Sequence, residues 1–345
     1  MSDSVEFVVH SGIGRVTLNR PRALNALDHP MVLAITEHLD RWRADPAVRA
    51  VLIDGAGERG LCAGGDIRSI YEDARSGGTE SLDFWADEYR LNASIARYPK
   101  PYVAFMDGVV MGGGVGVSAH GRHRVVTERT RLAMPEVGIG FAPDVGGTYL
   151  LSRAPGELGT HIALTGAPVS GADAIHCGLA DHFVPSARLA DLLDALATRT
   201  PSDAIATVAE TPPPSTLAAD QAWIDHCYAA DSVEEILDGL RGSGDAAVAT
   251  AKEIERKSPT ALKVTLRALR TAAALPDLAS VLAQEYRTSR RALRSTELVE
   301  GIRAQIIDKD RSPRWSPASL AEVDEDLVDS YFAALGADEW DGSAR

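Results

Sequence analysis

The sequence predicts an α/β protein whose strands lie in the first part of the chain and whose remainder is mainly helical. Three observations carry this. Short apolar runs of β type alternate with helical patterns in β–β–α order ahead of about Gly156. Two of those runs end in glycine-rich turns, Cys62-Ala63-Gly64-Gly65-Asp66-Ile67-Arg68 and Met111-Gly112-Gly113-Gly114-Val115-Gly116. Beyond Gly156 the periodicity is helical. Thr200-Pro201 and Thr211-Pro212-Pro213-Pro214-Ser215 read as a linker. A core over 1–200 and a mainly helical region over 201–345 follow from these signals.

Taken in order, Val5-Glu6-Phe7-Val8-Val9 and Gly14-Arg15-Val16-Thr17-Leu18 form a hairpin around Ser11-Gly12. Asp28 caps a helix with Pro30 in its first turn; Val32, Ile35, Leu39 and Trp42 supply its apolar face. A strand at 51–53 leads into the first glycine turn. A helix over 81–96 stops ahead of Pro99 and Pro101. The strand around Val103 leads into the second turn, and extended pieces follow at 124–127 and 131–134. In the helical region, Ser232-Val233-Glu234-Glu235 is a capping box. Ser258-Pro259 starts a helix, and Pro276-Asp277 precedes a long one reaching about Ile307.

Composition narrows the function classes. The 345 residues carry a net charge of −14, which argues against a general nucleic-acid binder but leaves room for a local basic pocket. Cys62, Cys177 and Cys227 form neither a metal-ligand spacing nor an even disulfide set, as expected of a reducing compartment. The segment from Met1 to Val9 has no basic start and no apolar core, and no run is long enough to span a bilayer. The expectation is a cytoplasmic protein with no membrane or nucleic-acid partner and no bound metal.

The glycine turns carry the first chemical signal. Glycine lets backbone pass close to a ligand with its N–H groups exposed, and two such turns facing each other supply an oxyanion hole. The second signal is Met134-Pro135-Glu136-Val137-Gly138-Ile139-Gly140-Phe141-Ala142-Pro143-Asp144-Val145-Gly146-Gly147, where Glu136 and Asp144 flank a shaped loop. Two carboxylates in one dry cleft raise the pKa of at least one of them, which suits proton transfer near neutral pH. Spacing alone fits equally well a turn-capping Glu136 and an Asp144 that caps the helix starting near Gly147. His120, His123 and Cys62 lack the partners that would mark a metal site or a nucleophile, and no Gly-Lys-Ser/Thr follows Gly65 to make a nucleotide P-loop. Trp315 and Trp340 read as packing anchors.

These glycine turns and the PE-x-GIG-x-x-PDVGG segment resemble the crotonase superfamily, the enoyl-CoA hydratase/isomerase fold of repeated ββα units in a spiral core. Asn19-Arg20-Pro21-Arg22-Ala23-Leu24-Asn25-Ala26-Leu27 matches that family's opening motif, and the similarity runs through about residues 5–185. The resemblance implies an acyl-CoA substrate whose thioester oxygen is held by the N–H groups of Gly65 and Gly113. It needs no separate cofactor, because coenzyme A is part of the substrate. It also implies trimeric or hexameric relatives, contacts that a long helical tail could replace or block.

One departure selects a branch. Where hydratases carry a second glutamate, this chain has Gly116. With Asp144, and with Glu300-Gly301-Ile302-Arg303-Ala304, Ile307-Asp308-Lys309-Asp310 and Pro313-Arg314-Trp315 in the tail, the pattern resembles the 3-hydroxyisobutyryl-CoA hydrolases, thioesterases of valine breakdown. The resemblance then implies that Glu136 activates water or attacks the thioester, and that Asp144 orients the acyl 3-hydroxyl or the water. It assigns Glu88 to the substrate pocket, a residue that otherwise reads as part of a solvated helix face. Gly64 and Asp66 join the substrate-binding set, and Arg22 suits a CoA phosphate. The competing readings are a hydratase or isomerase on the same scaffold and a non-catalytic acyl-CoA binder.

Overall fold

The computed structural model describes residues 4–342. Met1–Asp3, the start of the segment read for a leader, lies outside them. The expected hairpin is present as β1 (Val5–His10) and β2 (Ile13–Leu18), with Val5 opposite Leu18. The chain continues through β3 (Ala50–Gly55), β4 (Gly60–Cys62), β5 (Tyr102–Met106), β6 (Val109–Met111), β7 (His123–Val126), β8 (Arg131–Ala133), β9 (Val169–Ser170) and β10 (His182–Phe183). One sheet has the order β1-β2-β3-β5-β7-β10 and the other β4-β6-β8-β9.

Successive strand pairs explain the spiral. β3 and β4, then β5 and β6, then β7 and β8, each place one strand in each sheet, and each new strand lies parallel to its predecessor. The ββα repeat expected from the family resemblance is therefore the architecture found.

Among the helices, α1 (His29–Ala44) starts as expected, with the Met31 N–H donating to Asp28 Oδ1 at 2.9 Å. A helix the sequence reading did not anticipate, α2 (Ile67–Ser76), follows the first glycine turn directly. α3 (Glu80–Ala96) matches the helix expected over 81–96. α4 (Gly113–Gly116) and α5 (Gly147–Leu151) are short. The single helix expected from 277 to 307 is instead interrupted. Helix Leu278–Ala292 ends, Ser295 caps Thr296–Ile302 by accepting the Leu298 N–H at 3.2 Å, and a π turn covers Arg303–Ile307. A serine accepting from the backbone three residues on is a start signal that apolar periodicity alone does not show.

The chain forms two compact units, each discontinuous in sequence. One comprises Met1–Gly65, Asp87–Ala133 and Val169–Thr216; the other comprises Asp66–Ala86, Met134–Pro168 and Leu217–Arg345. This interleaving follows contacts, whereas a division near residue 200 follows composition. The first unit holds both sheets. Alternate residues Ala50 and Leu52 on β3 and Val103 and Phe105 on β5 pack with Val184, Leu192 and Leu196, so the helix Leu189–Leu196 belongs with the strands. The second unit is helical, and Ser258 and Asp277 cap Pro259–Ala274 and Leu278–Ala292. Among the described residues no helix is long and apolar enough to cross a membrane.

Candidate active site

In the first unit, β4 and β6 are parallel neighbours, with Gly60 opposite Val109 and Cys62 opposite Val110. Both glycine turns therefore leave corresponding ends of adjacent strands, which is why they meet. In the first turn Gly64 has φ +107, a conformation a side chain rarely adopts. Its carbonyl accepts the Leu27 N–H at 2.8 Å, and the Ala63 N–H donates to Leu24 O at 3.0 Å. The second turn starts α4 at Gly113, where an N–H has no partner within the helix. Among the described residues no backbone carbonyl accepts from the N–H of Gly65 or Gly113. A Cβ placed on Gly113 would lie 3.4 Å from Gly65 N. These are two adjacent amides free to donate, the geometry of an oxyanion hole.

The opening Asn-Arg-Pro motif supports this cradle from behind. Leu24 and Asn25 are both left-handed, at φ 53 and 56. Asn25 Nδ2 donates to Ala56 O and Gly60 O, each at 3.0 Å, and its Oδ1 accepts the Arg20 N–H at 3.0 Å. The loop is thereby tied to the base of β4. Cys62 is buried, the Gly64 N–H reaches its Sγ at 3.3 Å, and burial pushes its thiol up to about 12. Arg22 is exposed on the turn Pro21–Ala23, and among the described residues its guanidinium has no partner.

Glu88 is not on a solvated face. It is 2% exposed, and its Oε1 lies 2.5 Å from where a Cβ of Gly113 would stand. A carboxylate thus reaches the cradle from α3, although Gly116 leaves α4 without one. Gly64, Gly65, Gly113 and Glu88 come together in the first unit.

The second unit carries the other carboxylates. Glu136 opens a 3-10 turn, Glu136–Ile139, and is 6% exposed. Its Oε2 has no hydrogen-bond partner among the described residues. Burial, then the charge of Asp144, then that of Glu285 hold its carboxyl well above the ordinary value of 4.5. Asp144 is equally buried, and the helix-capping alternative fails: the N-cap of α5 is Gly146, with no side-chain cap. Asp66 is half-buried at the start of α2 and makes no capping bond there.

Two groups to which the sequence reading gave no role in the site support this cluster. Glu285, on helix Leu278–Ala292, is 1% exposed. It accepts the Gly146 N–H at 2.7 Å, the Thr148 N–H at 3.0 Å and the Thr148 hydroxyl at 2.5 Å. Gly301 is the other. A Cβ on it would lie 2.4 Å from Ile139 C, and one on Gly140 would lie 2.5 Å from Glu297 O. The Glu136 turn is pressed backbone to backbone on helix Thr296–Ile302, and the Ser258 N–H donates to Val137 O at 3.1 Å. The tail beyond is tied by Arg303, which donates to Glu300, Asp308 and Asp310. Trp340 is buried and donates to Ala86 O at 3.1 Å, a packing anchor as expected; Trp315 is half-buried and donates to Arg256 O at 3.1 Å.

With that geometry in place, comparison with known proteins is decisive. The family described as Enoyl-CoA hydratase/isomerase matches residues 13–332. The chain belongs to this family. The 3-hydroxyisobutyryl-CoA hydrolase, mitochondrial, of Gallus gallus is 42% identical over 337 residues, covering 94% of this chain and 87% of that protein. The Homo sapiens protein of the same name is 43% identical with the same coverage. A solved carnitinyl-CoA dehydratase from Mycobacterium thermoresistibile is 55% identical, with a TM-score of 0.94 over 97% of both chains. A solved enoyl-CoA hydratase from Rhodobacter sphaeroides 2.4.1 is 42% identical, with a TM-score of 0.93 over 98% of this chain and 99% of that one. Family membership and crotonase fold are thus shared by relatives whose names divide among hydrolase, dehydratase and hydratase.

Proposed function

We propose that this chain hydrolyses the thioester of 3-hydroxyisobutyryl-CoA, or a similar short 3-hydroxyacyl-CoA, to the free acid and coenzyme A, a step of valine breakdown. The observation that carries the reading is the 42% identity, over 94% of the chain, to a curated hydrolase of that substrate. The buried Glu136 beside Asp144, and Gly116 where a hydration pair needs a glutamate, support it.

The N–H groups of Gly65 and Gly113 polarise the thioester carbonyl, each such donor being worth about 3 kcal/mol in the transition state. Glu136, ionised, takes a proton from water as the water oxygen bonds to the carbonyl carbon. The C–S bond then breaks, and the thiolate leaves with that proton. In the alternative route the Glu136 carboxylate displaces the thiolate, and water cleaves the resulting anhydride. Asp144 accepts a hydrogen bond from the substrate 3-hydroxyl or holds the water. Glu88 borders the acyl group, with Gly64 and Asp66 flanking the cradle, and Arg22 meets a CoA phosphate. A cytoplasmic location is part of the same proposal; it rests on three free, buried cysteines, whereas the curated relatives are named as mitochondrial.

A second reading, reversible dehydration, is favoured by the Glu88 carboxylate at Gly113 and by the name of the Mycobacterium thermoresistibile protein. Incubation with 3-hydroxyacyl-CoAs of three to six carbons decides. Stoichiometric free CoA supports the hydrolase; an enoyl-CoA product without free CoA overturns it.

A further inference from the structure

We infer that Glu285 is a positioning residue for Asp144, an inference that rests on the function proposed above. Four observations meet here. Val145 and Gly146 are successive left-handed residues, at φ 52 and 78, and a β-branched residue in that region is an outlier that surrounding structure must hold. The Glu285 carboxylate takes two backbone N–H groups and one hydroxyl from Gly146 and Thr148, immediately beyond that kink. The Gly147 N–H returns to Asp144 O at 2.6 Å, closing the turn on its other side. Finally, Glu285 and Thr148 are both inaccessible to solvent, so no water can replace either partner without rearrangement. The amides of Gly146 and Thr148, turned to one side by the left-handed backbone, hold an anion much as a backbone nest does. Here the anion is a side chain of the same unit, and the loop it fixes begins at Asp144.

The arrangement has an electrostatic side as well. Burial, and after it the charge of Asp144, pushes the Glu285 pKa up to about 8 against the lowering effect of its hydrogen bonds. Its charge in turn acts on Glu136. On the neighbouring helix Pro259–Ala274, Lys263, Arg267 and Arg270 are ion-paired with Glu234, Asp329 and Glu157. On α5's C-terminal side, Arg153 donates to backbone carbonyls of Ala272 and Leu275. No ion pair with Glu285 occurs among the described residues. Glu285 therefore holds the Asp144 loop by accepted hydrogen bonds alone, and once ionised its charge adds to the field that keeps Glu136 basic.

The test uses the full-length protein with Glu285→Gln, Glu285→Asp and Thr148→Val. Glutamine puts an amide donor where an acceptor stood, facing an N–H. A displacement of order 1 Å at a reacting group costs ~10²-fold, so kcat for CoA release from 3-hydroxyisobutyryl-CoA should fall by about that factor with KM little changed. Because a negative neighbour is lost, the acid limb of the kcat–pH profile should also move to lower pH. Thr148→Val removes only the hydroxyl donor, and should fold and lose kcat to a smaller degree with no shift of that limb. Glu285→Asp keeps the charge and so should keep the limb where it is. A purely structural role would lower the melting temperature while leaving kcat and the acid limb of the folded enzyme unchanged, and that result overturns the inference. If the wild type releases no CoA, the function reading fails separately. The crystal structure of Thr148→Val or Glu285→Gln then decides the positioning claim: it stands if Val145 leaves the left-handed region and falls if Val145 and Asp144 stay in place.

Discussion

Glu88 Oε1 lies 2.5 Å from the point that a Cβ on Gly113 would occupy, so no side chain fits at residue 113 while Glu88 keeps its place. The same point is 3.2 Å from Leu27 Cδ1 and 3.4 Å from Gly65 N. Gly113→Ala should therefore push a methyl group into the space a thioester oxygen needs. Loss of one oxyanion donor costs ~10²–10³ in kcat, and a loss of that order is expected for this variant. Steady-state release of CoA, with circular dichroism to confirm folding, checks it. Unaltered turnover would remove Gly113 from the cradle.

Glu136→Gln should nearly abolish CoA release while acyl-CoA affinity stays within about tenfold, because a group acting in the transition state affects kcat and not KM. The pH dependence has a definite sign. Glu136 must be ionised to act, and burial with Asp144 and Glu285 raises its pKa above 4.5, so activity is lost as pH falls through that raised value. An acid limb of kcat/KM at the ordinary carboxylate position would contradict this. Stability runs the other way. A carboxyl whose folded pKa lies above its unfolded value contributes stability below the unfolded pKa and loses it as pH rises through the folded one. For Glu285 that window runs from 4.5 to about 8, over which thermal melts should show a declining midpoint.

Asp144 decides the specificity question. If it accepts a hydrogen bond from the 3-hydroxyl, the wild type should prefer 3-hydroxyisobutyryl-CoA over isobutyryl-CoA by up to ~10⁴-fold, since a site built to bond a substrate hydroxyl rejects the analogue that lacks it. Asp144→Ala should erase most of that preference. Values of kcat/KM for both thioesters on both proteins give the answer; proportional loss of both activities would assign Asp144 to the water instead.

Gly301→Ala tests the support of the Glu136 turn. Its Cβ would stand 2.4–2.6 Å from three backbone atoms of Ile139, which cannot rotate aside. Overpacking of this kind costs ~1–3 kcal/mol, so the melting temperature should drop, and kcat should fall with it as the turn moves. A variant as stable and active as wild type would show that the two backbones separate freely.

Much of this was legible in the chain. The hairpin, α1, the glycine turns and the Glu136–Asp144 loop each announce themselves through local chemistry within about fifteen residues. Glu285 does not, because the donors it serves lie 137 and 139 residues earlier. One sign was present: Glu285 falls four residues after Val281 and three after Leu282, on the stripe that buries helix Leu278–Ala292. A carboxylate at a core position of an amphipathic helix asks for donors, and periodicity read only for apolar residues passes over it. Gly301 gave a weaker signal, a glycine inside a helix, whose reason lies in Ile139 on a distant turn. The break at Ser295 was missed because a capping serine looks like any polar residue on a solvated face.

Cys62 has a practical consequence for the chemistry itself. The reaction liberates a thiol, and the natural way to follow it is a reagent that counts thiols. Cys62 and Cys177 are buried with their thiols pushed up to about 12, and Cys227 is buried too. Attack on such a reagent requires an exposed thiolate, and burial keeps all three thiols from it. The folded enzyme should thus be silent in its own assay. A slow rise of signal without substrate would report local opening around one of the three thiols, and the part of it lost in Cys62→Ser would gauge how often the cradle comes apart.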